Sequence, residues 1–112
     1  MITSIKLIKN YGEAIDLEID GKVVSRFLNN GHFSFWGQQT GTPQYTGKWI
    51  KENKQNLTFK LNRFGDMIDV QIIHLSLAHG IEVIARVFEN GSFLFWGSEV
   101  DTDDLLFEGR WN

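Results

Sequence analysis

The chain has 112 residues, of which 42% are hydrophobic and 13% aromatic, and it contains no cysteine. This length suits one domain with a packed core, and no stretch reaches the roughly 18 apolar residues of a membrane-spanning helix. The lack of cysteine excludes a disulfide framework and a cysteine-based zinc site. Because the N-terminus also lacks the apolar run of a signal peptide, we expect a cytoplasmic protein.

The net charge of −3 is unevenly distributed along the chain. Residues 1–56 hold seven basic and five acidic residues, whereas residues 57–112 hold four basic and nine acidic ones. The acidic excess is concentrated in SEVDTDDLLFE, residues 98–108, which contains no basic residue. Such a surface repels nucleic acid and anionic membranes and attracts a basic protein.

Alternation of apolar and polar residues predicts strands near residues 3–9, 14–20, 22–29, 32–37 and 45–51. Within AIDLEID, residues 14–20, Ile15, Leu17 and Ile19 alternate with acidic residues, which is typical of a strand with one face in solvent. Asp20-Gly21 and Asn30-Gly31 predict tight turns with positive φ angles.

The second half of the chain repeats this plan. YGEAIDLEI (11–19) recurs as FGDMIDVQI (64–72), and KVVSRFLNNGHFSFWG (22–37) recurs as EVIARVFENGSFLFWG (82–97). Each half then ends in a Gly-basic-Trp triplet. We therefore predict one all-β domain over residues 1–112, built from two internal repeats, about 1–53 and 54–112. It would form an antiparallel barrel of 8–10 strands or a flattened two-sheet sandwich.

The phenylalanines shared by both halves are candidate core residues. Phe33 and Phe35 lie two residues apart and so share one face of a strand, as do Phe93 and Phe95. Trp36 would point to the opposite face. Each tryptophan indole N–H needs a hydrogen-bond partner wherever it is buried.

The shared arginines, Arg26 and Arg86, allow two interpretations. The favoured one pairs each with Asp16 or Asp69 on a neighbouring strand, or stacks it on a tryptophan. The other is a site for a ligand carboxylate. The pairing is favoured because an active site is rarely repeated within one small chain.

Features found in only one half are candidates for individual function. The neutral loop 38–45 corresponds to the acidic residues 98–107, His32 corresponds to Ser92, and an insertion brings His74 and His79. The histidine spacing does not resemble a zinc site, and the aspartates lack the spacing of a calcium loop. No catalytic motif is present, so we expect neither metal, nor cofactor, nor enzymatic activity.

The acidic segment is the predicted partner-binding site. Three consecutive apolar residues, 105–107, cannot all point into a core from a strand, so at least one should be exposed as an interface anchor. The predicted site consists of carboxylates together with this anchor: Glu99, Asp101, Asp103, Asp104, Leu106, Phe107 and Glu108.

In its length, acidity, lack of cysteine and SEVDTDDLLFE segment, the chain resembles bacterial immunity proteins, the small cytosolic inhibitors of contact-dependent toxins. The resemblance implies that these carboxylates plug the basic active site of a toxin domain, often a nuclease. A second resemblance is to lipocalins and fatty-acid-binding proteins, through the Gly-Lys-Trp and Gly-Arg-Trp triplets and the strand plan. It implies instead a carrier of a small apolar ligand in a cavity of roughly 300 Å³ or more.

Overall fold

In a computed structural model the chain folds into β-strands joined by short connections. The structure describes residues 1–10, 14–39, 41–50, 57–74, 80–98 and 105–112. The strands are β1 (Ile5–Asn10), β2 (Ala14–Ile19), β3 (Lys22–Leu28), β4 (His32–Phe35), β5 (Tyr45–Lys48), β6 (Leu57–Phe64), β7 (Met67–His74), β8 (Ile81–Phe88), β9 (Ser92–Phe95) and β10 (Phe107–Arg110). Within these ranges there is no helix, and hence none long and apolar enough to cross a membrane.

The strands form two five-stranded antiparallel sheets, each a simple meander. The first has the order β1-β2-β3-β4-β5 and the second the order β10-β9-β8-β7-β6. The prediction of an all-β fold is therefore confirmed. The two ladders stay separate, joined among the described residues by an isolated bridge between Ile50 and Ser98. Of the two predicted architectures, the two-sheet sandwich fits.

The two predicted turns differ in geometry. Asp20 and Gly21 have φ angles of 52° and 84°, as expected for an Asp-Gly hairpin. At the next turn only Gly31 has a positive φ, of 95°, and its N–H donates to the Leu28 carbonyl at 3.0 Å. Residues 29–31 thus form a three-residue connection with glycine in the left-handed position. The predicted tight turn at Asn30-Gly31 is present, but only its glycine has a positive φ, so it differs in type from the first.

The alternation of β2 is interrupted at its centre. Leu17 and Ile19 are buried as predicted, but Asp16 is also buried, with 4% of its surface exposed. The prediction of a solvent-facing carboxylate was wrong here, because Arg26 on β3 lies opposite and binds it. A β-bulge between Leu17 and Glu18 then shifts the register.

Aromatic rings from both sheets fill the space between them. Phe33, Phe35, Phe93 and Phe95 are fully buried, which confirms their prediction as core residues. Phe33 stacks on Phe95 with ring centroids 3.9 Å apart, and Phe35 packs on Phe93 at 4.5 Å. Stacked pairs contribute beyond their buried area, so this cluster is the main link between the sheets.

The edges of the two sheets also meet. Tyr45 on β5 stacks on Phe107 of β10 with centroids 4.6 Å apart, and β1 lies beside β6 on the other side. Gly37 sits at this junction with φ of 62°, and a Cβ there would lie 2.6 Å from the Arg110 carbonyl oxygen. Contact between edges protects strands that would otherwise pair with other chains.

Trp49 and Trp111, which follow β5 and β10 and occur at the same place in both halves, close the ends of the core. Trp49 and Trp111 are each 5% exposed. Their indole N–H groups donate to the carbonyls of Leu28 at 2.8 Å and Phe88 at 2.7 Å. Each buried indole therefore has the partner it requires.

Candidate functional site

The acidic segment connects β9 to β10 at the end of the second sheet. Four of its predicted binding residues, Glu99, Asp101, Asp103 and Asp104, lie outside the described residues. The structure places the remaining three, Leu106, Phe107 and Glu108, at the start of β10 and just before it.

Two consecutive leucines at this point are exposed to solvent. Leu105 is 40% exposed and Leu106 is 38% exposed. The Leu106 N–H donates to the Phe95 carbonyl at 2.9 Å, so its backbone is fixed beside β9. The expectation that residues 105–107 cannot all enter the core is confirmed, and the exposed members are the leucines.

Phe107 points the other way. Its ring packs 5.0 Å from Phe35 and stacks on Tyr45, so it contributes mainly to the core. Glu108 is exposed and lies opposite Leu94 on β9. Since strand side chains alternate, Leu106 and Glu108 belong to the outer face of the second sheet.

Hydrogen bonds fix the residue at which the acidic segment begins. Ser98 is fully buried, its hydroxyl donates to a Glu82 carboxylate oxygen at 2.6 Å, and its N–H donates to the Trp49 carbonyl. Leu106 is likewise hydrogen-bonded to Phe95, so the described residues on both sides of 99–104 are attached to the folded core.

The shared arginines form the same cluster in both sheets. Arg26 donates from Nε and Nη2 to the Asp16 carboxylate at 2.6 and 3.0 Å, and its guanidinium lies 5.5 Å from the Trp36 ring centroid. Arg86 makes the same bonds to Asp69 at 2.6 and 3.1 Å and lies 5.6 Å from the centroid of the Trp96 ring.

These clusters serve the fold. The hydrogen bonds that Arg26 and Arg86 donate to Asp16 and Asp69 raise the pKa values of the two arginines above the ordinary arginine value, and the carboxylate charges add to the effect. The predicted cross-strand pairing and tryptophan stacking are both confirmed. Because two donors of each guanidinium are already bound by a carboxylate, a ligand carboxylate would have to compete with it.

An open cleft with a volume of about 310 Å³ lies on the outer face of the first sheet. Its lining combines charged, amide and aromatic groups: Lys22, Val23, Arg26, Trp36, Gln39 and Gly41. The Trp36 indole donates to the Gly41 carbonyl at 2.8 Å. This cleft was not predictable from the sequence, because its lining includes Gln39 and Gly41 of the loop that follows β4.

The histidines do not form a metal site in the part of the chain that is described. His32 is exposed on β4, while His79 and the side chain of His74 lie outside the described residues. Among the described residues, no group of three histidine, aspartate or glutamate side chains is placed to hold a metal ion.

Sequence reasoning missed two strongly exposed apolar residues of the second sheet. Phe64 at the end of β6 is 54% exposed, and Ile81 at the start of β8 is 56% exposed. A signal was available for Ile81, because Gly21 occupies the corresponding place in the first half, whereas Phe64 corresponds to another aromatic residue, Tyr11. An exposed isoleucine at a place where the other half has glycine is unfavourable in water.

Comparison with known proteins adds no functional assignment. No protein-family model, no curated protein and no solved structure matches this chain.

Proposed function

We propose that the chain is a non-enzymatic binding protein that engages a basic partner protein through residues 98–108. The observation that carries the proposal is the pair of exposed leucines, Leu105 and Leu106, directly after a stretch containing four carboxylates. Apolar anchors bordered by charge are typical of protein interfaces. The anchors supply buried area, and the carboxylates supply attraction over a distance.

The charges around the segment support a basic partner. Residues 99–108 contain five carboxylates and no basic side chain. In the second sheet Arg86 binds Asp69, and Arg110 donates to the Asn90 carbonyl at 2.7 Å. Five carboxylates within ten residues, with no basic side chain among them, attract a basic surface.

The physiological setting we propose is immunity to a bacterial toxin. A nuclease cleft is basic because it binds phosphates, and a run of carboxylates imitates the phosphate backbone. In this proposal Glu99, Asp101, Asp103, Asp104 and Glu108 occupy the cleft of the toxin domain. Leu106 anchors its rim, and Phe107 holds Leu106 in place from the core side.

The alternative of a small-molecule carrier receives less support. The four central phenylalanines occupy the space between the sheets where an internal cavity would have to lie. The cleft beside Trp36 approaches the size of a ligand pocket, but it is open and carries Lys22 and Arg26. An apolar ligand would find few matching groups there.

We further propose that the sheets are two copies of one unit, residues 1–53 and 54–112. The two sheets share strand order, the position of a β-bulge and the Arg–Asp–Trp cluster. If the copies share architecture, positions where they differ are free to carry function.

Charge reversal tests the binding proposal. Asp103→Lys with Asp104→Lys should slow association with the co-purifying basic partner by about 10- to 1000-fold, because electrostatic steering is lost. Thermal stability should change little. The matched control is Gln39→Lys with Thr42→Lys, which adds two lysines to the corresponding loop of the first half and should leave affinity within about threefold. Unchanged affinity in the Asp103/Asp104 variant would refute the role of the segment.

A further inference from the structure

The cleft beside Trp36 is large enough for a small ligand. Its volume of about 310 Å³ lies at the lower end of the range for ligand pockets, which begins at roughly 300 Å³. The residues that line it belong to β3, to Trp36 and to the loop that follows β4. The cleft is therefore a feature of the first sheet.

Hydrogen bonds fix the walls of this cleft. The Trp36 indole N–H donates to the Gly41 carbonyl at 2.8 Å, and Gly41 has a φ of 84°, a conformation that favours glycine. The Gln39 amide donates to the Thr42 carbonyl at 2.7 Å, and the Gln44 amide donates to the Trp36 carbonyl at 2.8 Å. Because the indole ring is already held in place, a ligand that contacts it loses little free energy in ordering the site.

Lys22 gives the cleft a net positive charge. Arg26 also lines the cleft, but the carboxylate of Asp16 balances its charge. On the neighbouring strand β2, Glu18 lies opposite Lys6 of β1, and these two charges balance one another. Among the residues that the structure describes, no carboxylate forms an ion pair with Lys22. One positive charge at the cleft thus stays unbalanced by the described residues.

The second sheet shows that the fold does not require a cation at this place. The lining residues Val23, Arg26 and Trp36 recur there as Val83, Arg86 and Trp96, but Lys22 is replaced by Glu82.

Both residues make the same kind of structural link. The Lys22 Nζ donates to the Gln38 carbonyl, and the Ser98 hydroxyl donates to the Glu82 carboxylate, so each joins the start of a strand to the residue after Trp-Gly. Either charge can make this link. An ammonium group has three N–H donors, so Lys22 keeps two for a ligand after binding Gln38.

We propose that this cleft binds a small organic carboxylate with a flat apolar body. The carboxylate accepts hydrogen bonds from the Lys22 ammonium group, while the flat body packs against the Trp36 ring and Val23. A single negative charge matches the single unbalanced cation, and Arg26 remains bound to Asp16. The site goes beyond the proposed function, because it does not use residues 98–108.

Two compounds that differ only in charge test the site. Cinnamate has a flat body with a carboxylate, and cinnamyl alcohol has the same body with a neutral hydroxymethyl group. We expect cinnamate to bind at least about tenfold more tightly, since a hydrogen bond to a charged group is worth that much. In NMR titrations it should shift the indole N–H signal of Trp36 and the amide signals of β3, and leave those of Trp96 and β8 unchanged.

Exchange of residues between the sheets then tests the role of Lys22. Lys22→Glu with Gln38→Ser introduces the pair that the second sheet carries at the corresponding places, so folding should survive. This variant should bind cinnamate no more tightly than cinnamyl alcohol. The control is Lys48→Glu, which makes the same charge change on β5, outside the cleft lining, and should leave the cinnamate affinity within about threefold.

Three results would overturn the proposal. The first is equal affinity for the two compounds, and the second is unchanged cinnamate affinity in the Lys22→Glu, Gln38→Ser variant. The third is a shift of the Trp96 and β8 signals as large as that of Trp36 and β3, since the probe would then not select the first sheet. Each of these leaves the acidic segment untouched, because its role is measured separately with the Asp103 and Asp104 variant.

Discussion

Removing the Arg86 side chain should destabilise the protein because it leaves a buried carboxylate without its partner. Asp69 is 2% exposed, and Arg86 binds it through two hydrogen bonds. Breaking a fully buried ion pair in this way costs about 3–5 kcal/mol. Since 30% of the Arg86 side chain is exposed, solvent reduces the loss, and we expect about 2–3 kcal/mol for Arg86→Ala.

Part of that loss comes from the stacking of Arg86 on Trp96, which is worth about 0.5–1 kcal/mol. The remainder comes from the unpaired carboxylate, so removing the carboxylate as well should recover about 1–2 kcal/mol. The double variant Arg86→Ala with Asp69→Ala should therefore be more stable than Arg86→Ala alone. Since a domain has a free energy of unfolding of roughly 5–15 kcal/mol, both variants should remain folded in the absence of urea.

The assay is urea unfolding followed by circular dichroism. The dependence of the free energy of unfolding on urea concentration should be the same in all variants. Arg26→Ala is the matched variant in the first sheet, where Arg26 and Asp16 have the same geometry. Its loss should agree with that of Arg86→Ala within about 1 kcal/mol. If the double variant is no more stable than Arg86→Ala, the buried carboxylate is not the source of the loss.

The remaining predictions concern local structure. Three hydrogen bonds from residues 3 and 4 lower the pKa of Asp20, and the one from the Thr3 hydroxyl has the largest effect. The contribution of Asp20 to stability is therefore present above its unfolded pKa and is lost as the pH falls through its lower folded pKa. Asp20→Asn should lower the melting temperature at pH 7 but not at pH 2, and an equal difference at both pH values would contradict this. Phe95→Ala should cost about 3–5 kcal/mol in urea unfolding, and a loss under 1 kcal/mol would contradict a packed aromatic centre. Gly37→Ala should cost clearly more than Gly21→Ala, since both have positive φ but only the first meets a backbone oxygen; equal melting temperatures would refute that clash.

Local rules explain why much of the fold could be predicted from the sequence. Alternation over two residues located the strands, and the Asp20-Gly21 pair located a hairpin. The spacing of Phe33 and Phe35 placed both on the buried face. The pairing of Arg26 with Asp16 was predictable because strands joined by a short turn must lie side by side.

Features that depend on packing were not predictable in the same way. Asp16 reads as a solvent-facing carboxylate, yet the arginine that binds it also buries it. The choice between a barrel and two sheets depends on how the edges meet, through contacts such as Tyr45 on Phe107. The burial of Asp16 depends on a side chain of the next strand, and the choice of architecture depends on residues far apart in sequence; alternation along one strand registers neither.

The candidate site was predictable only in part. Residues 98–108 stand out by charge, and the apolar run within them indicated that a side chain would be exposed. That Leu105 and Leu106 are exposed while Phe107 packs inward required the structure.

The most direct test of the account is hydrogen–deuterium exchange of the protein with and without the basic partner that co-purifies from its native cell. The account predicts slower exchange in β9 and residues 98–110 on binding, with β3 and β4 unchanged. Protection confined to β3, β4 and the loop beside Trp36 would contradict it, since the partner would then occupy the first sheet.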